Sequence, residues 1–285
     1  MLFRSVKGII LSGGTGSRLY PLTITHNKQL LPIYDKPMIY YPLSTMLSCG
    51  IKDYCLISSP DYLPIYQKLF GNGNHLGINI VYKIQEKPNG IAESFLIAED
   101  FIGNDKVALI LGDNIFHGVY SKKRDFNGAL IFAYEVNNAQ DYAVIELDEN
   151  DKVLSIEEKP KIPKSKYAIP GLYFFDNRVV EFSKSLKPSP RGELEISDLI
   201  NIYANINALD VIKCGRGAAW LDAGLPDTFF HSAAYIKTIQ DRQGVRIGCI
   251  EQDAYDNGFI SKSEFLSLIE KMPNSEYKKY LQKIK

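Results

Sequence analysis

Cysteine is scarce in this sequence: Cys49, Cys55, Cys214 and Cys249 lie far apart, with no Cys-x-x-Cys pair and no clustered histidines. That disfavours a zinc site or a disulfide framework and leaves reduced thiols packed as small hydrophobes. An excess of either charge is missing too, since 33 Lys plus Arg balance 33 Asp plus Glu. The electrostatic footprint of a dedicated nucleic-acid binder is therefore absent. No apolar run approaches the ~20 residues that span a bilayer, so no membrane partner is expected. The opening Met1–Lys7 runs directly into a strand pattern, not into a signal-peptide core, and a cytoplasmic location is the expectation.

What is present is ordinary for a globular enzyme-sized chain: 285 residues, 45% hydrophobic and 23% charged. Apolar runs predict strands at 6–11, 53–58, 78–85, 107–111, 129–136, 143–147, 153–157, 169–175 and 209–214. Helical patterns near 37–49, 62–70 and 91–101 separate the first four, and another falls at 195–205. Strand and helix in alternation predict an α/β fold, Rossmann-like, with a mostly parallel central sheet. The strands between 129 and 175 follow one another directly, so the sheet is expected to be mixed there.

The character changes after Leu225. Pro226 suits a first helical position ahead of a helix over 227–242. A strand is expected at 245–250, then a capping box Ser261-Lys-Ser-Glu264 and a last basic helix at 275–285. The expected organisation is a core of residues 1–225 and a mainly helical region, 226–285, packed on it.

The first strand ends in Ser12-Gly-Gly-Thr-Gly-Ser-Arg18. Such an exit frees backbone N–H groups to face phosphate oxygens. A Walker A loop is excluded because Ser17-Arg18 follows the last glycine, and no register gives Gly-x-Gly-x-x-Gly. The glycines alone fit a plain strand-to-helix turn equally well. Arg18 and Lys28 follow with no acidic residue between them, a pattern suited to a polyanion.

A second candidate is Asp113, at the end of the wholly apolar 107–111 run, where open α/β sheets bind ligands. A turn-capping role is the plainer alternative. Asp222, which is 109 residues further on, fits a site carboxylate or a helix cap equally well. Two near-identical strand exits, Ile84-Gln-Glu-Lys-Pro88 and Ile156-Glu-Glu-Lys-Pro160, face one cleft if their strands run the same way.

Taken together, Gly13-Gly-Thr-Gly-Ser-Arg-Leu-Tyr-Pro-Leu-Thr23 and Lys28-Gln-Leu-Leu-Pro32 resemble the signature of sugar nucleotidyltransferases. Lys36-Pro-Met-Ile-Tyr-Tyr-Pro-Leu-Ser44 resembles the glucose-1-phosphate thymidylyltransferase branch, which opens the dTDP-rhamnose route. The likeness continues through Leu111-Gly-Asp-Asn114, Glu157-Glu-Lys-Pro160, Gly171-Leu-Tyr-Phe-Phe175, Pro190–Ile196 and Trp220-Leu-Asp222.

The resemblance implies that dTTP and a sugar-1-phosphate are the partners and Mg²⁺ the cofactor. It implies nucleotide contacts from Leu11, Gly13, Gly14, Thr15, Arg18, Lys28, Gln29, Gln85, Gly90 and Asp113. Gln85 would read the base with both donor and acceptor, and Gly90 would leave room for it. Asn114, Tyr142, Ala143, Glu158, Lys159, Ile169 and Tyr173 would hold the sugar phosphate. Asp113 and Asp222 would share the metal, and Arg18, Lys28 and Lys159 would be the catalytic cations. No histidine is needed for such a reaction.

The family commonly forms homotetramers under end-product feedback, and the helical region 226–285, Tyr40-Tyr41 and 215–217 are expected contributors. The chain departs from the thymidylyltransferase pattern at Ala143, where glycine is usual, at Asn89, at 223–226 and in a short stretch over 120–127. Another sugar-1-phosphate or UTP is the alternative of the same chemistry. A non-catalytic nucleotide-sugar sensor is the alternative of another class, but it predicts a lost Arg18, Lys28, Asp113 or Asp222, and all four are present.

Overall fold

The apolar runs become sheet. In the computed structural model, which describes residues 6–118 and 126–284, the strands are β1 (Val6–Ser12), β2 (Pro32–Ile33), β3 (Lys36–Pro37), β4 (Asp53–Ser58), β5 (Asn79–Ile84), β6 (Lys106–Leu111) and β7 (Asn114–His117). They continue as β8 (Ala129–Glu135), β9 (Ala143–Leu147), β10 (Val153–Glu158), β11 (Tyr167–Ala168), β12 (Leu172–Phe175), β13 (Leu209–Lys213) and β14 (Ala219–Asp222). The helices are α1 (Tyr40–Ser48), α2 (Leu63–Phe70), α3 (Glu93–Ile97), α4 (Glu99–Ile102), α5 (Val179–Ser185), α6 (Ile196–Asn205), α7 (Pro226–Gln243), α8 (Ile250–Asp256), α9 (Lys262–Glu270) and α10 (Glu276–Leu281). Residues 120–125 of the stretch noted as short, and 1–5 at the start, lie outside the described residues.

The main sheet runs in the order β10-β9-β11-β8-β12-β6-β1-β4-β5, with β13 also paired to β8. β6, β1, β4 and β5 are parallel, whereas β12, β8, β11, β9 and β10 alternate antiparallel. The mixed region falls where strands follow one another without helices. β5 and β10 consequently run in opposite directions. The two similar strand exits do not share a strand direction, and only the second lines the cleft described below.

Of the parallel strands, β1, β4 and β6 are mostly apolar and buried because both of their faces are covered, whereas the edge strand β5 leaves Val81 and Ile84 exposed. Alternate residues of β1 divide between two cores: Val6 and Ile10 go one way, Ile9 and Leu11 the other. The first face is closed by α1, α2, α8, α9 and α10 through Leu43, Met46, Phe70, Ile250, Phe265 and Leu281. The second is closed by α3, α5 and α6 through Phe95, Val179, Leu199 and Tyr203. The helices after residue 250 thus bury their apolar faces in the same core as the first strand.

Several local expectations are met by the expected physics. Pro226 opens α7, and at α9 the Ser261 N–H donates to Glu264 Oε2 at 2.7 Å while Ser261 Oγ accepts from the Glu264 N–H at 3.3 Å. Others differ. The 91–101 helix is two short pieces that meet at Ala98, whose backbone leaves the helical region. No strand forms at 245–250, because side chains take the backbone groups that a ladder would use. The Ile247 N–H donates to Gln240 Oε1 at 3.0 Å and the Ile247 carbonyl accepts from Lys36 Nζ at 2.9 Å. Gly248 adopts φ 71° against the Tyr41 ring, and α8 begins two residues later. Tyr41, expected with Tyr40 to contribute to assembly or feedback, is 2% exposed and donates its hydroxyl to the Ile33 carbonyl, so it is a core residue.

One buried acid in this region has a measurable consequence. Burial first, with Asp256 and Glu251 adding to it, pushes the Asp253 carboxyl from 3.8 up to about 7, against hydrogen bonds from Ser44 and Ser48. The folded chain retains a proton that the unfolded chain releases between about pH 4 and 7. Asp253 therefore favours folding in acid, and that contribution is lost as the pH climbs to about 7. Asp253→Asn does not titrate, so it is predicted to melt higher than the wild type by roughly 2–8 °C near pH 8 and by much less near pH 5. Thermal melts of the two proteins across that range check this.

Candidate active site

Five residues after β1 ends, the chain turns on Ser17–Leu19, and a second short turn follows at Lys28–Leu30. Asn27 fixes the second turn: its Oδ1 accepts from the Gln29 N–H at 3.2 Å and the Tyr66 hydroxyl at 2.6 Å, and its Nδ2 donates to the Ser12 carbonyl at 3.3 Å. The turn is thereby held against the end of β1, and Lys28, 6% exposed, reaches across to the end of β6. There Lys28 Nζ meets Asp113 Oδ2 at 2.5 Å.

A short antiparallel pair carries the other carboxylate. β7 and β14 pair so that Asp222 lies opposite Asn114, the neighbour of Asp113. The Asn114 side-chain oxygen accepts from Trp220 Nε1 at 2.6 Å and from the Gly171 N–H at 3.0 Å, and its Nδ2 donates to Asp113 Oδ1 at 2.8 Å. Leu225, not Asp222, caps α7, which removes the helix-cap alternative for Asp222.

The electrostatics follow from this packing. Burial alone would raise the Asp113 carboxyl, but the Lys28 ammonium and Asn114 amide outweigh it and hold it below the ordinary carboxylate value. Burial first and Asp113 second push Asp222 up to about 6, against the pull of Lys28, Arg18 and Lys159. Two mostly buried carboxylates that repel one another beside three cations make a place where an added cation with its own anionic partner is favoured. Among the described residues no third acidic, histidine or cysteine side chain joins them to complete a metal cage.

A cleft of about 190 Å³ opens over these groups. Its walls include Arg18, Asp113, Asn114, Tyr142, Ala143, Glu158, Lys159, Ile169, Tyr173 and Asp222, so ten of the residues singled out in the sequence lie round one space. Lys159 leaves β10 in the left-handed region, φ 42°, with its N–H on the Tyr142 carbonyl at 3.1 Å. For a residue with a Cβ that conformation is uncommon and marks a constrained turn. Burial, reinforced by Glu195, raises the Glu158 carboxyl, and Lys159 and Arg191 oppose the rise.

The remaining candidates sit beside the glycine-rich loop. Leu11 is buried at the end of β1, Gly14 and Thr15 are exposed, and Gln29 is 5% exposed with its side-chain oxygen unpartnered among the described residues. A Cβ at Gly13 would stand 2.1 Å from Gln85 Oε1, so the loop and the end of β5 touch only because that residue is glycine. Gly90 adopts φ 114°, where a Cβ would strike the Leu194 backbone at 2.4 Å. That packing is a reason for glycine distinct from the room for a base inferred above.

Two further groups shape the site. Trp220 stands out in the sequence only as part of a motif, but in the fold its indole N–H ties β14 to Asn114. Arg191 holds Glu195 by two bonds of 2.9 Å and reaches Glu158 at 3.4 Å, putting a fourth cation near the cleft. Its place inside Pro190–Ile196 was the available signal.

The chain belongs to the nucleotidyl transferase family, whose model matches residues 7–239. Within that family it is 47% identical to a glucose-1-phosphate thymidylyltransferase of Neisseria meningitidis, over 98% of this chain and 99% of that protein. It is 47% identical to the Mycolicibacterium smegmatis protein of the same name, over 97% of this chain and 98% of that one. Among solved structures, a Bacillus anthracis protein described as a glucose-1-phosphate thymidylyltransferase, in complex with sucrose, superposes with a TM-score of 0.73 at 38% identity. That match covers 81% of this chain and 94% of the other. A UDP-glucose pyrophosphorylase with UDP-glucose shares the fold at TM-score 0.70 and 21% identity, over 84% of this chain and 100% of that one. No helix among the described residues is long and apolar enough to cross a membrane.

The contact between Gly13 and Gln85 gives a direct test of the loop. Gly13→Ala must push the loop or Gln85 aside, and a displacement near 1 Å at a reacting site costs roughly 10²-fold. The variant is predicted to melt close to the wild type while kcat/KM for the nucleoside triphosphate falls by about that factor. Steady-state kinetics with a parallel thermal melt measure both.

Proposed function

We propose that this chain transfers the thymidylyl group of dTTP to glucose-1-phosphate, giving dTDP-glucose and pyrophosphate. The observation that carries the reading is that Arg18 and Lys159 line one cleft with Asp113 and Asp222, and that Lys28 is paired to Asp113 there. End-to-end likeness to named thymidylyltransferases supports the choice of substrates.

The sugar phosphate oxygen is already an anion near neutral pH, so it attacks the α-phosphorus without a general base. The bond from that phosphorus to the bridging oxygen breaks, and the electron pair leaves with pyrophosphate. The difficulty is charge: two polyanions must approach each other, so positioning and electrostatic stabilisation dominate. Lys159, fixed by its constrained backbone, faces the sugar phosphate, with Glu158 beside it to accept sugar hydroxyls. Arg18 and Lys28 stand on the triphosphate side, and Lys28 exchanges part of its bond with Asp113 for a phosphate oxygen.

Asp113 and Asp222 are the residues that would hold Mg²⁺. The fit is sound, because Mg²⁺ uses one or two protein carboxylates and completes its shell with water and substrate phosphates. When bound, the ion supplies charge neutralisation on the leaving pyrophosphate. A variant reading, with another sugar-1-phosphate or UTP, has one observation in its favour: the Ala143 methyl lies on the cleft wall. Homotetramer assembly, a cytoplasmic setting and entry to the dTDP-rhamnose route belong to the same proposal.

Pyrophosphate release over a grid of triphosphates and sugar phosphates tests the assignment. The fastest pair is expected to be dTTP with glucose-1-phosphate, and no release with dTTP and any sugar phosphate would sink it. Arg18→Ala should lower turnover by about 10²–10³ without changing the melt.

A further inference from the structure

The amide of Gln85 is 3% exposed and points its two ends in different directions. Nε2 donates to Glu93 Oε2 at 2.7 Å and reaches the Gly90 carbonyl at 3.5 Å. Oε1 faces the glycine-rich loop, against Gly13. The other Glu93 oxygen accepts from Asn89 Nδ2 at 2.7 Å, so this carboxylate is itself held in place. An ionised carboxylate accepts hydrogen bonds and donates none. Glu93 therefore tolerates only the amine end of the amide, because the opposite flip would set oxygen against oxygen.

This alters what Gln85 offers. With its amine engaged by Glu93, the amide presents a carbonyl, an acceptor, toward the nucleotide side, instead of the donor and acceptor expected from the sequence. Thymine and uracil carry a hydrogen on N3, while cytosine has a lone pair there. A fixed acceptor distinguishes the two by attraction and repulsion.

We propose that Glu93 is a positioning residue for base selection: it orients the Gln85 amide so that the site takes a pyrimidine with a protonated N3 and turns cytosine away. The inference rests on the reading that a thymidine nucleotide is the donor. It adds a residue that touches no substrate and acts only through Gln85.

The test compares kcat/KM for dTTP, UTP and dCTP with glucose-1-phosphate in the wild type and Glu93→Gln. A glutamine at 93 is nearly the same size but presents either a donor or an acceptor, so it no longer dictates the flip. The wild type is expected to prefer dTTP over dCTP by at least about 100-fold. In Glu93→Gln that ratio should fall about tenfold or more, with the dTTP loss seen in KM and kcat nearly held. A folded Glu93→Gln whose ratio stays within about twofold of the wild type overturns the proposal. Should that variant not fold, Glu93→Ala is read by the same ratio and the same thresholds. Wild-type turnover of dTTP is measured first. Its absence removes the thymidylyltransferase reading, whereas its presence with an unchanged ratio removes only the role of Glu93.

Discussion

The side-chain oxygen of Asn114 is the joint on which the site turns. It accepts from the Trp220 indole and the Gly171 N–H, while the same side chain donates to Asp113. One buried amide thereby ties the end of β6, the entry to β12 and strand β14 together. Buried polar groups that are fully partnered specify a single arrangement, and half-partnered ones destabilise it. Because β14 is fixed this way, Asp222 arrives beside Asp113 from 109 residues away.

The charges make sense only once that joint is in place. Asp113 is held ionised by Lys28, whereas Asp222 is pushed toward neutrality by burial and by Asp113. Such a pair is costly in a resting site unless cations are near, and Arg18, Lys28 and Lys159 supply them. The same three cations are what a triphosphate and a sugar phosphate need as they are brought together. The scaffold supplies rigidity: β1 and β6 are buried on both faces, so the loops that leave them start from fixed points.

Much of this was legible in the residues. Apolar runs marked the parallel strands because strands covered on both faces carry few polar positions, and the capping box and Pro226 marked helix starts for local reasons. Asp113 stood out because it follows such a run. What escaped were features set by distant partners. β7 and β14 are four residues each and have no period long enough to read. The 245–250 stretch looks like a strand, but Gln240 and Lys36 take its backbone groups. Glu93 gave no sign in one dimension, since its role depends on where the Gln85 amide points.

The central claim is that Asp113 and Asp222 act as one cation site, formed with a bound triphosphate. Its most direct test is the Mn²⁺ dissociation constant, read by electron paramagnetic resonance with a non-hydrolysable dTTP analogue bound, in the wild type and in Asp222→Asn. Mn²⁺ shares the preference of Mg²⁺ for carboxylate, water and phosphate oxygens. The account predicts binding weaker by about tenfold or more in a variant that still melts as the wild type does. Equal affinity in the two proteins would contradict it.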